Sequence, residues 1–309
     1  MRDILITGGT GFIGKNLVEE LKIRYPKSKI FYPSSEELDL TDSKKVNSFF
    51  KEIKKIAEIS NIFHLAALYK AGGWPLEHPA TQLYVNQSIN TNLFEFAKRY
   101  FPNAKLVSSI SYCVYPEHDN PHEESEVFGS EPEDYLFAYG FTKKGIVIAN
   151  RAYREEFSMD CVSAVLPTVY GPGDSIKEDS HVMGALIGKF LKASKINLKS
   201  VEVWGDGNQM REFIYVKDVV DGLIFLANNK TKHDMYNLGM NEADSIKNIT
   251  RILKDLTSFK GEIVYNLNKF TGTKVRVMDS SRIYNELDWS PKFNLRKGIK
   301  ETINYYIEK

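Results

Sequence analysis

The sequence predicts an α/β fold: a doubly wound parallel sheet followed by a smaller C-terminal α/β lobe. In the first half, short and nearly all-apolar runs alternate with longer amphipathic ones, the rhythm of a parallel sheet with crossover helices. A glycine-rich turn joins the first apolar run directly to the first amphipathic one. The 309 residues fit one large domain or two coupled ones, at about 100–200 residues per domain, and are ample for a hydrophobic core.

Taken in order, Ile4-Leu5-Ile6 centres a strand at 3–7, and an amphipathic helix follows at 13–22. Ile30-Phe31-Tyr32 gives a strand at 29–32, followed by a helix at 43–56. Ile62-Phe63-His64-Leu65-Ala66 reads as the third strand, with a long helix at 80–99 after it. A strand at 105–109 and a helix at 135–157 come next, then Cys161-Val162-Ser163-Ala164-Val165-Leu166. Strands buried on both faces are expected to be almost wholly apolar, as these are. After Gly171-Pro172-Gly173 the rhythm breaks into a helix near 182–192, a strand at 201–204, a helix at 216–228 and a mixed tail. One domain is expected over 1–170 and the other mainly over 171–309, with about 213–238 returning to the first sheet.

Composition excludes several classes. With 41 basic and 40 acidic side chains and a net charge of +1, neither nucleic acid nor an anionic membrane is expected as the main partner. Cys113 and Cys161 are too few for a disulfide framework or a zinc cluster, so a reducing compartment is expected. Met1-Arg2-Asp3 runs straight into the first strand without a signal peptide's apolar stretch. No segment approaches the ~20 apolar residues of a membrane helix. A cytoplasmic location is expected.

Thr7-Gly8-Gly9-Thr10-Gly11-Phe12-Ile13-Gly14 follows a strand and opens a helix. Gly8 permits the tight turn, Gly11 lets backbone approach a pyrophosphate, and Gly14 allows close helix–strand packing. The helix start, Thr10 to Gly14, then offers N–H groups and a positive dipole end to phosphates. This is the dinucleotide loop of a Rossmann sheet. The second strand ends Phe31-Tyr32-Pro33-Ser34-Ser35, with no acid to bind a ribose 2′-hydroxyl until Glu36 and no arginine for a 2′-phosphate. Ser34 and Ser35 suit NADP or NAD equally. Asp39-Leu40 suits an adenine pocket, or Asp39 simply begins a turn.

Tyr139-Gly140-Phe141-Thr142-Lys143 places a phenol and an ammonium at i and i+4, on one helix face. A nearby ammonium is expected to draw the tyrosine, ordinarily near pKa 10, towards the working range. Ser111, just past a strand end, offers a hydroxyl to the same carbonyl oxygen. The trio reads as hydride-transfer machinery.

On these residues the chain resembles the extended short-chain dehydrogenase/reductase family of nucleotide-sugar epimerases and dehydratases. Within it, the similarity is greatest to the epimerase-reductases of GDP-4-keto-6-deoxy sugars. The matching stretches are Ala66-Ala67 with Lys70-Ala71-Gly72-Gly73, Ser111-Tyr112-Cys113-Val114-Tyr115-Pro116, Tyr170-Gly171-Pro172, Ser180-His181-Val182, Val203-Trp204-Gly205-Asp206-Gly207 and Met210-Arg211-Glu212-Phe213. The resemblance implies an NAD(P)H-dependent enzyme that epimerises C3 and C5 of a GDP-linked 4-keto-6-deoxy hexose and then reduces C4; a single-activity 4-ketoreductase or 4-epimerase is the alternative. It implies Cys113 as base and His181 as acid. A thiol near pKa 8.5 and an imidazole near 6.5 suit the exchange of protons acidified by a 4-keto group. Asp179-Ser180 looks like a helix cap, which would put His181 in the first turn. By the same resemblance, Leu65, Ala66, Ala67, Pro167 and Val169 line the cofactor, NADP in most relatives. Lys70, Lys189, Trp204 and Arg211 contact the substrate, Arg211 at the diphosphate, where arginine's fork fits; a surface ion pair with Glu212 is its plainer role. The pattern departs in two places. Pro167-Thr168-Val169-Tyr170-Gly171-Pro172 lacks the family's asparagine, and the arginines for a 2′-phosphate are missing. A homodimer is expected through helices 80–99 and 135–157, the second carrying Ile146, Val147, Ala149 and Ala152 as apolar surface beyond one sheet-facing stripe.

Overall fold

The computed structural model describes all residues except 71–72, 130, 133–135, 270–272 and 309. The elements run β1 Asp3–Thr7, α1 Phe12–Arg24, β2 Ile30–Phe31, α2 Ser43–Ile56, β3 Ile59–His64, α3 Trp74–Glu77, α4 Pro79–Tyr100, β4 Lys105–Ser111, α5 Phe137–Phe157 and β5 Cys161–Leu166. Then come β6 Thr168–Tyr170, α6 Val182–Lys195, β7 Ser200–Trp204, β8 Met210–Arg211, β9 Phe213–Tyr215, α7 Val216–Asn228 and β10 Met235–Asn237. The tail holds β11 Asp244–Ser245, α8 Ile246–Leu256, β12 Glu262–Asn266, β13 Val275–Arg276, α9 Ser281–Leu287 and α10 Leu295–Ile307. The chain divides into two compact units: Met1–Pro116, Glu124–Leu166 and Val220–Leu238 form one, and the remaining residues the other.

The first unit is built on a six-stranded sheet in the order β10-β5-β4-β3-β1-β2. Every neighbouring pair is parallel. Reversal of strand order beside β1 makes a switch point, where ligands of open α/β sheets bind. Ile4, Leu5, Ile6, Ile62, Phe63, Leu106 and Val107 are all fully buried, as a sheet covered on both faces requires.

The third strand differs from the sequence pattern. β3 lies at Ile59–His64, not 62–66, because its partner β1 ends at Thr7, which pairs with His64. Leu65 still donates to the Thr7 carbonyl (3.0 Å), but the chain then leaves the ladder past the glycine turn. α5 is described from Phe137; Tyr135, expected to open it, lies outside the described residues, as do Ala71 and Gly72.

In the second unit, α6, α8 and α10 bury Met183, Ile187, Phe190, Ile249, Leu253, Ile299 and Ile303 in one apolar core. Around it stand the parallel pairs β6–β9 and β7–β12 and the three-stranded sheet β11-β8-β13.

Candidate active site

The turn after β1 is shaped by what a side chain would strike. Gly8 has φ +74°, and a Cβ there would sit 2.7 Å from the Ala66 nitrogen. Gly14 lies so close to the turn that a Cβ would be 2.1 Å from the Gly8 carbonyl oxygen. The Gly11 N–H closes the turn on that same oxygen (3.1 Å), and α1 starts at Phe12 with Gly11 as N-cap. The first-turn N–H groups of Phe12, Ile13 and Gly14 have no carbonyl four residues back in the helix. With Thr10 exposed beside them, they are groups of the kind that hold a pyrophosphate. The residues present fit a dinucleotide.

Beyond β2, Ser34 is engaged by Glu37: its N–H donates to the Glu37 carboxylate (2.7 Å), and its Oγ accepts from the Glu37 N–H (3.3 Å). Hydrogen bonding from the Ser34 N–H, and then from its hydroxyl, holds the Glu37 carboxyl below its ordinary pKa. Asp39 accepts from the Thr41 N–H (2.9 Å) and hydroxyl (2.6 Å), so it does form a turn. Asn92 donates to the Leu40 carbonyl (2.8 Å), tying that turn to α4.

β4 ends on Ser111, whose Oγ accepts from the Cys113 N–H (3.4 Å). Cys113 then packs with Leu136 and Tyr139 in a buried cluster that Ala67 also lines. Tyr139 and Lys143 share a face of α5, with the Lys143 Nζ 5.5 Å from the phenol ring centroid. That Nζ donates to the Ser109 carbonyl (3.1 Å), so the end of β4 aims the ammonium. The expected lowering of the phenol does not occur: Tyr139 is pushed well above its ordinary value. Desolvation is the largest cause, followed by the nearby Cys113 and Tyr69. Burial acts on the lysine in the opposite sense, lowering it to about 8. Desolvation disfavours whichever form is charged, and here it outweighs the attraction between the two groups.

Sequence reasoning missed what lies beneath them. His64 is 1% exposed. One ring nitrogen meets the Thr7 hydroxyl (2.8 Å), the other the Asn90 side-chain oxygen (3.0 Å). The Asn90 amide donates to the Thr142 carbonyl (3.1 Å), one residue before Lys143. Desolvation, then the Lys143 charge, lowers His64 to about 3, so it is neutral. The only signal in the sequence was a polar residue inside an apolar strand run.

The second unit carries the other expected residues. His181 is the N-cap of α6, one position before the first turn, and the Ser180 hydroxyl donates back to the Lys177 carbonyl (2.5 Å). Its imidazole therefore still stands at the helix's positive end. It is solvent-accessible, and partial desolvation by surrounding protein lowers its pKa. Lys189 and Trp204 come together, with Nζ 5.7 Å from the indole centroid, and Lys269 lies 5.5 Å from the same ring. Arg211 is 8% exposed, its guanidinium donating to the Met210 carbonyl (2.8 Å). A surface pair with Glu212 is ruled out, because Glu212 is 2% exposed and accepts from the Met240 and Met278 N–H groups. Pro167 and Val169 flank Thr168, whose N–H donates to the Glu212 carbonyl (3.3 Å). Lys70, in the first unit, holds its Nζ 5.1 Å over the Trp74 ring.

Comparison with known proteins agrees with this geometry. The model of the NAD dependent epimerase/dehydratase family matches residues 4–239. Probable GDP-L-fucose synthase 1 of Oryza sativa subsp. japonica is 32% identical over 309 residues, covering 99% of this chain and 92% of the rice protein. GDP-L-fucose synthase 1 of Arabidopsis thaliana is 30% identical, covering 99% and 93%. The solved structure of a GDP-mannoheptose C4 reductase from Campylobacter jejuni with NADP bound matches with a TM-score of 0.88 at 29% identity, over 99% of this chain and 98% of that one. The chain belongs to the NAD-dependent epimerase/dehydratase family.

Proposed function

We propose that the protein is an NADPH-dependent epimerase/reductase acting on a GDP-linked 4-keto-6-deoxy hexose. The observation that carries this reading is the joining of Cys113 to the Tyr139–Lys143 face. A thiol suited to exchanging ring protons shares one buried cluster with the phenol suited to protonating a C4 oxygen. The whole-length relatives named GDP-L-fucose synthases support it, and the NADP-bound reductase supports the cofactor.

When bound, reduced nicotinamide supplies hydride to C4. Tyr139, held protonated by burial, gives its proton to the developing C4 alkoxide, and the Ser111 hydroxyl donates to the same oxygen. Lys143, fixed by Ser109, hydrogen-bonds the ribose and steadies the phenol as its charge develops. Cys113 removes a proton beside the ketone, and His181 returns one from the other face. Lys70, Lys189, Trp204 and Arg211 hold the GDP-sugar.

A second reading keeps reduction alone. It is favoured by the likeness to the Campylobacter jejuni GDP-mannoheptose C4 reductase and to a GDP-6-OMe-4-keto-L-xylo-heptose reductase of the same organism, at 29% identity. Incubation with a GDP-4-keto-6-deoxy sugar in D₂O separates them: deuterium at C3 and C5 is expected from the epimerase, and its absence with continued NADPH oxidation selects the pure reductase.

The enzyme works as a cytoplasmic homodimer in this reading. α4 and α5 present Tyr84 (70% exposed), Phe141 (58%) and Ile148 (56%), an apolar surface a two-fold partner would cover. Among the described residues, no helix is long and apolar enough to cross a membrane.

A further inference from the structure

The loop between β3 and α3 has no regular structure over Leu65 to Lys70, yet α4 grips it. The Leu68 N–H donates to the Asn86 side-chain oxygen (2.8 Å), and the Asn86 amide donates back to the Leu68 carbonyl (3.0 Å). The Gln82 amide reaches the same carbonyl (3.5 Å). Asn86 is 2% exposed and Gln82 1%. An amide that pairs with both the N–H and the C=O of one residue fixes that residue's backbone as a strand neighbour would, and buried amides hold such bonds firmly.

The next residue is Tyr69. Its ring centroid lies 5.0 Å from that of Tyr139, with the planes tilted by 50°, inside the range of favourable aromatic pairs. It joins Ala67 against the cluster of Cys113, Leu136 and Tyr139. The following residue is also anchored: the Lys70 Nζ sits over Trp74, which stacks on His78 at 4.9 Å with planes 6° apart. Tyr139 is therefore bounded by Lys143 along its own helix and by Tyr69 from the loop.

We propose that Tyr69 is a positioning residue for reduction: its ring holds the Tyr139 ring in the orientation that delivers the phenolic proton and shields it from water, and the Asn86 grip on Leu68 keeps it there. This rests on the reading of Tyr139 as the proton donor. The aromatic ring is the working part. Small misplacement of a reacting group costs rate far more than binding.

The test compares Tyr69→Ala and Tyr69→Phe with wild type. Tyr69→Phe keeps kcat within about twofold, whereas Tyr69→Ala loses about tenfold or more in kcat, with KM and NADPH affinity little changed. A second readout needs no substrate: tyrosine labelled at Cζ with ¹³C, the Tyr139 resonance being assigned by its loss in Tyr139→Phe. Tyr139 begins to ionise at a lower pH in Tyr69→Ala, because the opened wall admits water, and shifts less in Tyr69→Phe, which loses only the electrostatic effect of the neighbouring phenol. Wild-type kcat together with an unmoved resonance in Tyr69→Ala overturns the proposal. So does a lower melting temperature with an unmoved resonance, which marks a purely structural residue, or a raised KM with unchanged kcat, which marks a substrate contact. If wild type reduces no GDP-linked 4-keto sugar, the functional reading fails while the resonance still decides the role of Tyr69.

Discussion

In the proposed reaction Tyr139 acts as a neutral phenol. Replacing it by phenylalanine removes the proton donor but little else, so Tyr139→Phe should abolish reduction and leave NADPH affinity nearly unchanged. Two roles are proposed for Lys143, and Lys143→Met should damage both turnover and cofactor binding. Steady-state kinetics with a cofactor titration checks the pair, and wild-type turnover in Tyr139→Phe would sink the assignment. The proposed cofactor preference also turns on single residues. No arginine stands at the end of β2, and the Ser34 N–H that could meet a 2′-phosphate is taken by the Glu37 carboxylate. A lost arginine–phosphate contact costs about 1.5 to 3 kcal/mol. NADPH should bind with weaker discrimination against NADH than in an arginine-bearing relative. Dissociation constants at fixed salt test this, and a preference above about a thousandfold, or about 4 kcal/mol, would point to a selecting group elsewhere.

Two buried side chains tie elements together. His64 links the end of β1 through Thr7 to α4 through Asn90, and Asn90 links onward to α5. His64→Leu leaves the Thr7 hydroxyl and the Asn90 oxygen without this partner in the interior, at a cost of about 2 kcal/mol or more. A lower midpoint in thermal unfolding is expected, and an unchanged midpoint would show the chain of bonds to be dispensable. Glu212 joins the start of β9 to the segments at Met240 and Met278. Burial raises its carboxyl to about 7, against the backbone N–H groups that lower it. A folded pKa above the unfolded value means that the folded form binds the proton more tightly. The stabilising contribution is full below about pH 4.5 and is lost as pH rises through about 7. Carrying the group from 4.5 to about 7 corresponds to about 3 kcal/mol. Urea unfolding at several pH values should show this decline in wild type and not in Glu212→Gln; parallel profiles would refute it.

For the whole molecule, the expected dimer keeps its helices but changes its residues. Ile146 and Val147, read from the sequence as surplus apolar surface, are 0% and 1% exposed and pack inside their own unit. Ala149 is half-buried and Ala152 exposed, as read from the sequence, and the larger exposed apolar groups are Tyr84, Phe141 and Ile148. Sedimentation should show a dimer at micromolar concentration, and Phe141→Lys with Ile148→Lys should yield a folded monomer. A wild-type monomer would reject the interface.

The sequence by itself determined the parallel sheet, the glycine turn and the Tyr139–Lys143 pair. Each is written in local spacing: apolar runs of strand length, glycines three apart, an i,i+4 pair on one helix face. It also determined the family, because the motifs around Ser111, Cys113 and His181 are contiguous. Only the tertiary structure decided the rest. Whether burial or charge governs Tyr139 depends on how much water the packed cluster excludes. Pairing with the end of β1 stops β3 at His64. The partners of His64 and Glu212 come from segments far along the chain, and the placing of Tyr69 depends on Asn86, 17 residues later. Such contacts are set by strand order and helix docking, which leave no periodic trace in any one stretch.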